Sequence, residues 1–352
     1  MKKLRKSFIV LVVAVLCGAL LLTGCGRKEA NNPENGQPAG EEKIVIKFSH
    51  PAAADETDPL HRAALLMEEK AEEYSKGKVD IKIYPAGQLG SEQRNVTDIQ
   101  NGIIQMALVT AGNITPFSPS IGVYDFPYIF KNRDEANKVI DSLWDDLNDL
   151  QIQESGTRTL TWLEQGFRVL SNSKKPVTKL EDLKGLKIRV PNNKYMIGTF
   201  KAWDAEATPI AWDETFNALQ QKVVDGQENP YASLWVSKNY EVQKYVTDIH
   251  YKMWLGNIMV DEKWFGSLPE DVQQALIKAG KEVTDDNRQY MLEYENIVKG
   301  KLEDNGIVFS GSPEDEDEWQ ARAMSIWPEF YTELPDISIL EKALDVLGRD
   351  KP

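Results

Sequence analysis

Strand-like and helix-like segments alternate along most of this chain, and the alternation limits the folds that it can adopt. Ile44 to Phe48 is rich in β-branched residues, and Asp58 followed by Pro59 predicts a capped helix start. Val79 to Tyr84 alternates as a strand, and the same order recurs further along the chain, with a strand predicted from Arg158 to Leu163 and a helix predicted from Asp213 to Val224. The sequence therefore predicts an α/β protein built on open sheets.

One predicted helix is much longer than the others. Helical spacing is nearly continuous from Pro269 to about Asn305, which is too long for one compact lobe. We therefore expect this helix to bridge two lobes. With 352 residues, of which 41% are hydrophobic, the chain can form one large or two medium domains with real cores.

The N-terminal segment has the composition of an export signal. A basic start precedes an apolar run from Phe8 to Leu22, which is short for a membrane span. The tetrad Leu22-Thr23-Gly24-Cys25 resembles the lipobox of bacterial lipoproteins, which implies cleavage before Cys25 and lipidation of its thiol. The alternative is an ordinary signal peptide, over residues 1–25, with an incidental cysteine. Residues 26–43 lack apolar periodicity and are predicted to form a flexible tether.

Charge and cysteine content exclude several classes of function. The net charge of -14 becomes -18 once the four basic residues of the leading segment are removed, because no acidic residue precedes Cys25. Such a surface repels a phosphate backbone, so nucleic-acid binding is not expected. The two cysteines, Cys17 and Cys25, both precede the predicted folded part, so disulfide or thiolate chemistry is not expected there.

The sequence lacks the common motifs of catalysis and metal binding. The three histidines, His50, His61 and His250, do not have metal-ligand spacing, and no metalloprotease, redox dithiol, nucleophile-elbow or phosphate-loop motif occurs. A pair of carboxylates could support glycoside chemistry, but acidic residues are so numerous that such a pair carries little weight. We therefore predict an exported binding protein without cofactor, metal or enzymatic activity; a secreted polysaccharide-acting enzyme is the alternative.

Arg189 has the clearest functional implication of any single residue. It lies within the apolar run Leu186-Lys187-Ile188-Arg189-Val190, which predicts a short buried strand. A buried guanidinium keeps its charge and needs an anionic partner. That partner could be an acidic side chain of the chain itself or the carboxylate of a ligand that arrives from solution.

Several sequence blocks together resemble a known receptor family. Their order and spacing match from about Ile44 to near the C-terminus, and the blocks are YPAGQLGSE, GFRVLSNSKKPV, DLKGLKIRVPN, VDGQENP and NYEVQKY. They resemble the extracytoplasmic receptors of tripartite ATP-independent periplasmic (TRAP) transporters of the C4-dicarboxylate-receptor type. The resemblance implies a two-lobed, type II-like periplasmic-binding fold that holds a carboxylate-bearing ligand between its lobes. The implied lobe limits are 44–166 with 255–294, and 167–254 with 295–352.

The resemblance also implies a set of ligand-binding residues. Arg189 matches the family arginine that forms a two-pronged salt bridge with the ligand carboxylate, and Arg168 matches a second arginine. The other matching positions are Asn229, Asn192 and Trp212 on the second lobe, and Glu92 and Thr110 on the first. Structural alternatives stay open. Asn192 could cap a helix, Trp212 could belong to the core, and a carboxylate such as Glu92 is favourable in the first turn of a helix without any ligand.

Three positions bear on the identity of the ligand. Sialic-acid receptors of this family have phenylalanine and glutamate where this chain has Trp212 and Thr110, which argues against sialic acid. Glu164 resembles an acid of sugar-acid receptors that can accept hydrogen bonds from ligand hydroxyls, although it could also be a solvated surface residue. A small dicarboxylate would be repelled by Glu164 and Glu92 unless the charges of these two residues were paired. We therefore favour a uronate or related sugar acid, with a C4-dicarboxylate or another small organic acid as the alternative.

The sequence thus predicts a monomeric receptor that is exported and anchored through Cys25 to the outer face of the bacterial cytoplasmic membrane. The resemblance implies that the receptor closes around its ligand and delivers it to the small and large membrane subunits of a sodium-coupled carrier. It performs no covalent chemistry in this interpretation. A receptor that serves a signalling kinase through the same pocket is a further alternative.

Overall fold

The fold contains two β-sheets covered by helices, as seen in a computed structural model that describes residues 43–351. The export signal, Cys25 and the tether up to residue 42 lie outside the described residues. Every helix within 43–351 is too short or too polar to span a lipid bilayer. The strands and helices are, in chain order, β1 (Ile44–Ser49), α1 (Pro59–Tyr74), β2 (Val79–Tyr84), α2 (Glu92–Gln100), β3 (Met106–Thr110), α3 (Ala111–Ile114), α4 (Arg133–Ser155), β4 (Thr157–Phe167), β5 (Val169–Asn172), β6 (Lys187–Val190), α5 (Lys194–Ala202), β7 (Glu206–Pro209), α6 (Trp212–Gln220), β8 (Gly226–Asn229), α7 (Tyr231–Val236), β9 (Tyr245–Thr247), β10 (Met253–Asp261), α8 (Glu262–Gly266), α9 (Glu270–Asp304), β11 (Val308–Phe309), α10 (Glu316–Ser325), α11 (Trp327–Tyr331) and α12 (Ser338–Leu347).

The first sheet has five strands in the order β2-β1-β3-β10-β4. Strand β1 pairs in parallel with β2 and β3, whereas β10 pairs antiparallel with β3 and β4. Helices α1 and α9 pack on one face, and α2, α4 and α12 pack on the other. Because both faces are covered, a central strand such as β3 is buried at every position.

The second sheet has six strands in the order β11-β9-β5-β8-β6-β7. Strand β6 pairs in parallel with both β7 and β8. Its residues Ile188 and Val190 pack into a core with Phe200 and Trp203 of the following helical segment. Since successive side chains of a strand point to opposite faces, Arg189 is directed away from this core.

Three segments link the strands of the two sheets within the described residues. Strand β4, whose Gly166 has a φ of 92°, is separated from β5 by Arg168 alone; β9 leads back into β10; and α9, which has 35 residues, leads to β11. The prediction of an α/β fold with a long linking helix is confirmed. The predicted lobe limits stay a prediction. They assign 295–352 to the second lobe, whereas α12 packs on α4 beside the first sheet.

Local sequence signals located some helix ends better than others. The predicted cap at Asp58 is confirmed, because its carboxylate accepts from the Leu60 N–H at 2.8 Å and Pro59 is the first helical residue. The helix predicted from Asp213 to Val224 instead spans α6, which ends at Gln220 because Lys222 has a φ of 58°.

Gly280 allows α9 to approach β4 closely, since an added Cβ would lie 2.1 Å from the Leu160 carbonyl oxygen. We expect Gly280→Ala to lower the free energy of unfolding by roughly 1–3 kcal/mol, because the helix must move away from the strand. Gly300 of the same helix is a matched control, because a Cβ there would meet nothing within 4 Å. Gly300→Ala is expected to raise the free energy of unfolding by about 0.5–1 kcal/mol. Similar effects of the two substitutions in urea denaturation would contradict this packing argument.

Candidate functional site

A cavity of about 530 Å³ is lined by residues from both sheets and from the segments that follow their strands. Its volume lies in the range of small-molecule sites, and the carboxyl ends of strands are the usual place for ligands in open α/β sheets. Polar and aromatic lining residues on the side of the first sheet include Asp58, Glu92, Thr110, Asn113, Gln165 and Trp254, and those on the side of the second sheet include Arg168, Arg189, Asn192, Trp212, Asn229 and Ser233.

Arg189 lies in the cavity wall and uses only part of its hydrogen-bonding capacity within the protein. Arg189 is only 2% exposed to solvent, and its Nε donates to the Ile210 carbonyl oxygen at 2.9 Å. The guanidinium carbon lies 5.7 Å from the centre of the Trp212 ring. Among residues 43–351, no carboxylate forms a salt bridge with Arg189, and Nη1 and Nη2 have no hydrogen-bond partner.

The surroundings of Arg189 disfavour its positive charge. Burial lowers the pKa of Arg189 to about 10, and the positive charge of Arg168 adds to this effect. The carboxylates of Glu228 and Glu92 act in the opposite direction. Arg189 stays protonated at neutral pH, so an anion that reached Nη1 and Nη2 would offset part of the desolvation of the guanidinium.

Arg168, unlike Arg189, has an internal counter-ion. Its Nη2 donates to Glu228 Oε1 at 2.9 Å, and its Nε donates to Oε2 of the same carboxylate. The Tyr251 hydroxyl donates to Glu228 Oε2 at 2.9 Å. Burial alone would lower the pKa of Arg168, but the attraction of Glu228 outweighs burial and raises it. Within the described part of the chain Nη1 of this guanidinium has no partner, so its two N–H groups are the ones that a ligand in the cavity could use.

Glu92 and Thr110 line the cavity together and bond to each other. Glu92 Oε1 accepts from the backbone N–H and from the hydroxyl of Thr110, each at 2.6 Å. Its Oε2 accepts from Asn113 Nδ2 at 2.7 Å. Burial raises the pKa of Glu92, while these hydrogen bonds and Arg189 oppose the shift. Glu92 is also the first residue of α2, so it both lines the cavity and occupies the first turn of a helix, where a negative charge is favourable.

Asn229, Asn192 and Trp212 also line the cavity. Asn229 ends β8, where its Nδ2 donates to Gln227 Oε1 at 2.7 Å. Trp212 begins α6 and lies partly buried beside Arg189, so it does not belong to the closed core.

The alternative role of Asn192 as a helix cap is wrong. Asn193 is the residue that caps α5, because its side chain accepts from the Met196 N–H at 3.1 Å. Asn192 is exposed and lines the cavity instead.

Glu164 does not line the cavity, which corrects the prediction made for it. Alternation along β4 turns Gln165 toward the cavity and Glu164 away from it. The Glu164 side chain is 2% exposed and pairs with Arg133, whose Nε lies 2.6 Å from Oε1. Its Oε2 accepts from the Gly166 N–H at 2.7 Å, and burial raises its pKa to about 7 against the opposing effect of Arg133. Glu164 is therefore neither a ligand contact here nor a solvated surface residue.

Sequence reasoning missed several polar lining residues, and Asn113, Gln165 and Ser233 are among them. Strand β4 extends to Phe167, beyond the Leu163 at which the predicted strand ended. Continued alternation would have placed Gln165 and Glu164 on opposite faces. No comparable signal exists for Asn113 or Ser233, because their helices bring them to the cavity only through tertiary packing.

The described residues offer no evident metal site. No group of three or more His, Cys, Asp or Glu side chains within 43–351 is arranged to hold a metal ion. His50 and His61 hydrogen-bond to each other, with 3.0 Å between Nε2 and Nδ1, and burial lowers the pKa of His50 to about 3. The chemistry available in the cavity is therefore that of a guanidinium, carboxylates, hydroxyls and side-chain amides.

Comparison with known proteins decides the family. The model of the bacterial extracellular solute-binding proteins of family 7 matches residues 48–334. The chain belongs to this family. Its curated relatives include the C4-dicarboxylate-binding periplasmic protein DctP of Rhodobacter capsulatus, which is 34% identical over 249 residues, or 70% of this chain and 74% of that protein.

Two solved structures illustrate the family 7 fold. A TRAP periplasmic solute-binding protein of Rhodobacter sphaeroides, in an open form without ligand, is 41% identical with a TM-score of 0.73 and covers 87% of this chain and 99% of its own. A TRAP periplasmic solute-binding protein of Chromohalobacter salexigens with bound D-glucuronate is 26% identical with a TM-score of 0.81 and covers 86% and 99%, respectively. The predicted resemblance to TRAP receptors and the two-lobed periplasmic-binding fold are confirmed. As a family 7 member, the protein is a TRAP solute receptor and not an enzyme.

Proposed function

We propose that this protein binds an organic acid through Arg189 and presents it to a TRAP transporter. The observation that carries the proposal is a buried guanidinium that lines a cavity, has no salt bridge within residues 43–351 and leaves Nη1 and Nη2 unused. A carboxylate matches these two nitrogens in geometry, and such a bidentate, charge-assisted pair is stronger than a neutral hydrogen bond. The ligand carboxylate would thus supply the anionic partner that Arg189 lacks.

Lobe closure would couple binding to transport. The proposed lobes are 44–166 with 255–294 and 167–254 with 295–352, with α12 of the last range packed on α4 of the first lobe. The second lobe would hold the acid through Arg189, Asn229, Asn192 and Trp212, and through Nη1 of Arg168, while Glu92 and Thr110 would contact it from the first. Contacts that form on both sides only in the closed state shift the population toward that state.

We favour a uronate or related sugar acid as the ligand. Glu92 lines the cavity without a salt bridge to a described residue, so a ligand hydroxyl can donate to it whereas a second ligand carboxylate is repelled. The D-glucuronate bound to the Chromohalobacter relative supports this class. The Rhodobacter C4-dicarboxylate-binding relative supports the alternative, a small dicarboxylate.

Anchoring at Cys25 and delivery to the small and large membrane subunits belong to the same proposal. The tetrad Leu22-Thr23-Gly24-Cys25 supports the anchor, and family membership supports the transporter partners. Mass spectrometry of protein extracted from membranes would detect the lipid on Cys25. Genes for the two membrane subunits beside the receptor gene would favour transport over a signalling role.

A thermal-shift screen against organic acids tests the ligand class. A uronate or aldonate at about 100 times its dissociation constant is expected to stabilise the protein by about 2.7 kcal/mol. A shift with dicarboxylates but not with sugar acids would contradict the favoured substrate while leaving the receptor intact. The absence of a shift with every organic acid would contradict acid binding itself.

A further inference from the structure

Two asparagine side chains that line the cavity each use only the nitrogen of the amide group for hydrogen bonds within the described protein. Asn113 Nδ2 donates to Glu92 Oε2 at 2.7 Å, and Asn229 Nδ2 donates to Gln227 Oε1 at 2.7 Å. These bonds set the orientation of both amides. The oxygens Asn113 Oδ1 and Asn229 Oδ1 have no hydrogen-bond partner in the part of the chain that the structure describes, and both residues line the cavity.

Gln165 is a third lining amide, and it presents the opposite group. Its Oε1 accepts from the Ser233 hydroxyl at 2.6 Å, which directs the Nε2 end elsewhere. Nε2 has no partner among the described residues, although Gln165 is only 2% exposed. All three residues line the cavity, so a ligand bound there can supply the partners that these unpaired amide ends lack.

The unused ends define what a ligand must offer. Asn113 Oδ1 and Asn229 Oδ1 are acceptors and require donors, whereas Gln165 Nε2 is a donor and requires an acceptor. Arg189 adds two donors for a carboxylate. An acid with several hydroxyl groups can satisfy all of these positions, but an unsubstituted acid has no donor for the two asparagine oxygens.

We propose that Asn113, Gln165 and Asn229 make this receptor selective for polyhydroxylated acids over acids that lack hydroxyl groups. The inference rests on the proposed function, because it requires a carboxylate at Arg189. A ligand without hydroxyls that fills the cavity would cover the asparagine oxygens without donating to them, and sites built for a hydroxyl discriminate strongly for this reason. Because Glu92, Gln227 and Ser233 orient the amides in advance, little ordering remains to be done on binding.

Galactarate and adipate are a matched ligand pair for the test. Both carry a carboxylate at each end of the same carbon chain, and they differ only in the hydroxyls, so charge cannot explain a difference in affinity. We expect calorimetry to show galactarate binding at least about 100-fold more tightly than adipate. D-galactonate against hexanoate gives the same comparison for a single carboxylate. Affinities within about threefold in both pairs would overturn the proposed selectivity.

Two variants assign the effect to the amides. Asn113→Ala removes one acceptor and is expected to weaken D-galactonate binding about tenfold while leaving adipate unchanged. Gln165→Met keeps the side-chain length but removes the donor, and it is expected to weaken D-galactonate binding to a similar extent. Asn217→Ala and Gln220→Met on the exposed side of α6 are matched controls outside the cavity.

The outcomes separate this inference from the proposed function. If wild-type protein binds none of these acids and no acid of the thermal-shift screen, the proposed function fails. If it binds galactarate and adipate equally, or if Asn113→Ala and Gln165→Met behave as their controls do, acid binding stands and the role of the amides is refuted. Thermal melting of each variant establishes that it is folded.

Discussion

Arg189→Ala is expected to weaken organic-acid binding by roughly 2–5 kcal/mol, or about 30-fold to several-thousand-fold in dissociation constant. The substitution removes the two terminal nitrogens that face the cavity without a partner among the described residues. The ligand carboxylate would then lie in a cavity that still contains the Glu92 carboxylate but no longer contains the Arg189 guanidinium. Isothermal titration calorimetry with D-glucuronate or D-galactonate measures the effect, and unchanged affinity would rule out the clamp.

Two features make this prediction specific to ligand binding. Because Arg189 forms no salt bridge with residues 43–351, we expect Arg189→Ala to keep the free energy of unfolding of the ligand-free protein. A large loss of stability without ligand would indicate a structural role instead. Arg189→Lys retains the charge but loses the planar fork, so intermediate affinity is expected.

Glu228→Gln is expected to lower the free energy of unfolding by roughly 3–5 kcal/mol. The side chains of Arg168 and Glu228 are 1% and 0% exposed, so a neutral glutamine would leave a buried guanidinium without its counter-ion. The Tyr251 hydroxyl would also lose a charged acceptor. Urea denaturation of the ligand-free protein measures the loss.

An exposed salt bridge provides the control for Glu228→Gln. Arg322 and Glu318 form a pair whose side chains are 41% and 50% exposed. Glu318→Gln is therefore expected to change the free energy of unfolding by less than about 1 kcal/mol. Equal effects of the two substitutions would contradict the structural role of the Arg168–Glu228 pair. Together with Arg189→Ala, the experiment separates an arginine that stabilises the fold from one that awaits a ligand.

The sequence predicted the fold better than it predicted the details of the site. Strands such as β2 and the whole of α9 follow from periodicity over many residues, so the signal accumulates within one segment. The site depends on which face of a short strand each residue occupies. The prediction for Glu164 failed there, because β4 continues past the predicted end and gives the cavity position to Gln165.

By itself, the amino-acid sequence determined the order of strands and helices, the cap at Asp58, the family of the chain and the candidate role of Arg189. These features are encoded in contiguous residues, so local periodicity and short sequence blocks are sufficient to predict them. Only the tertiary structure decided that Arg168 is neutralised by Glu228, 60 residues away, while Arg189 is left without such a partner among the described residues. Pairing between distant residues depends on how the sheets bring them together in space, and a linear pattern carries no information about which acid reaches which base.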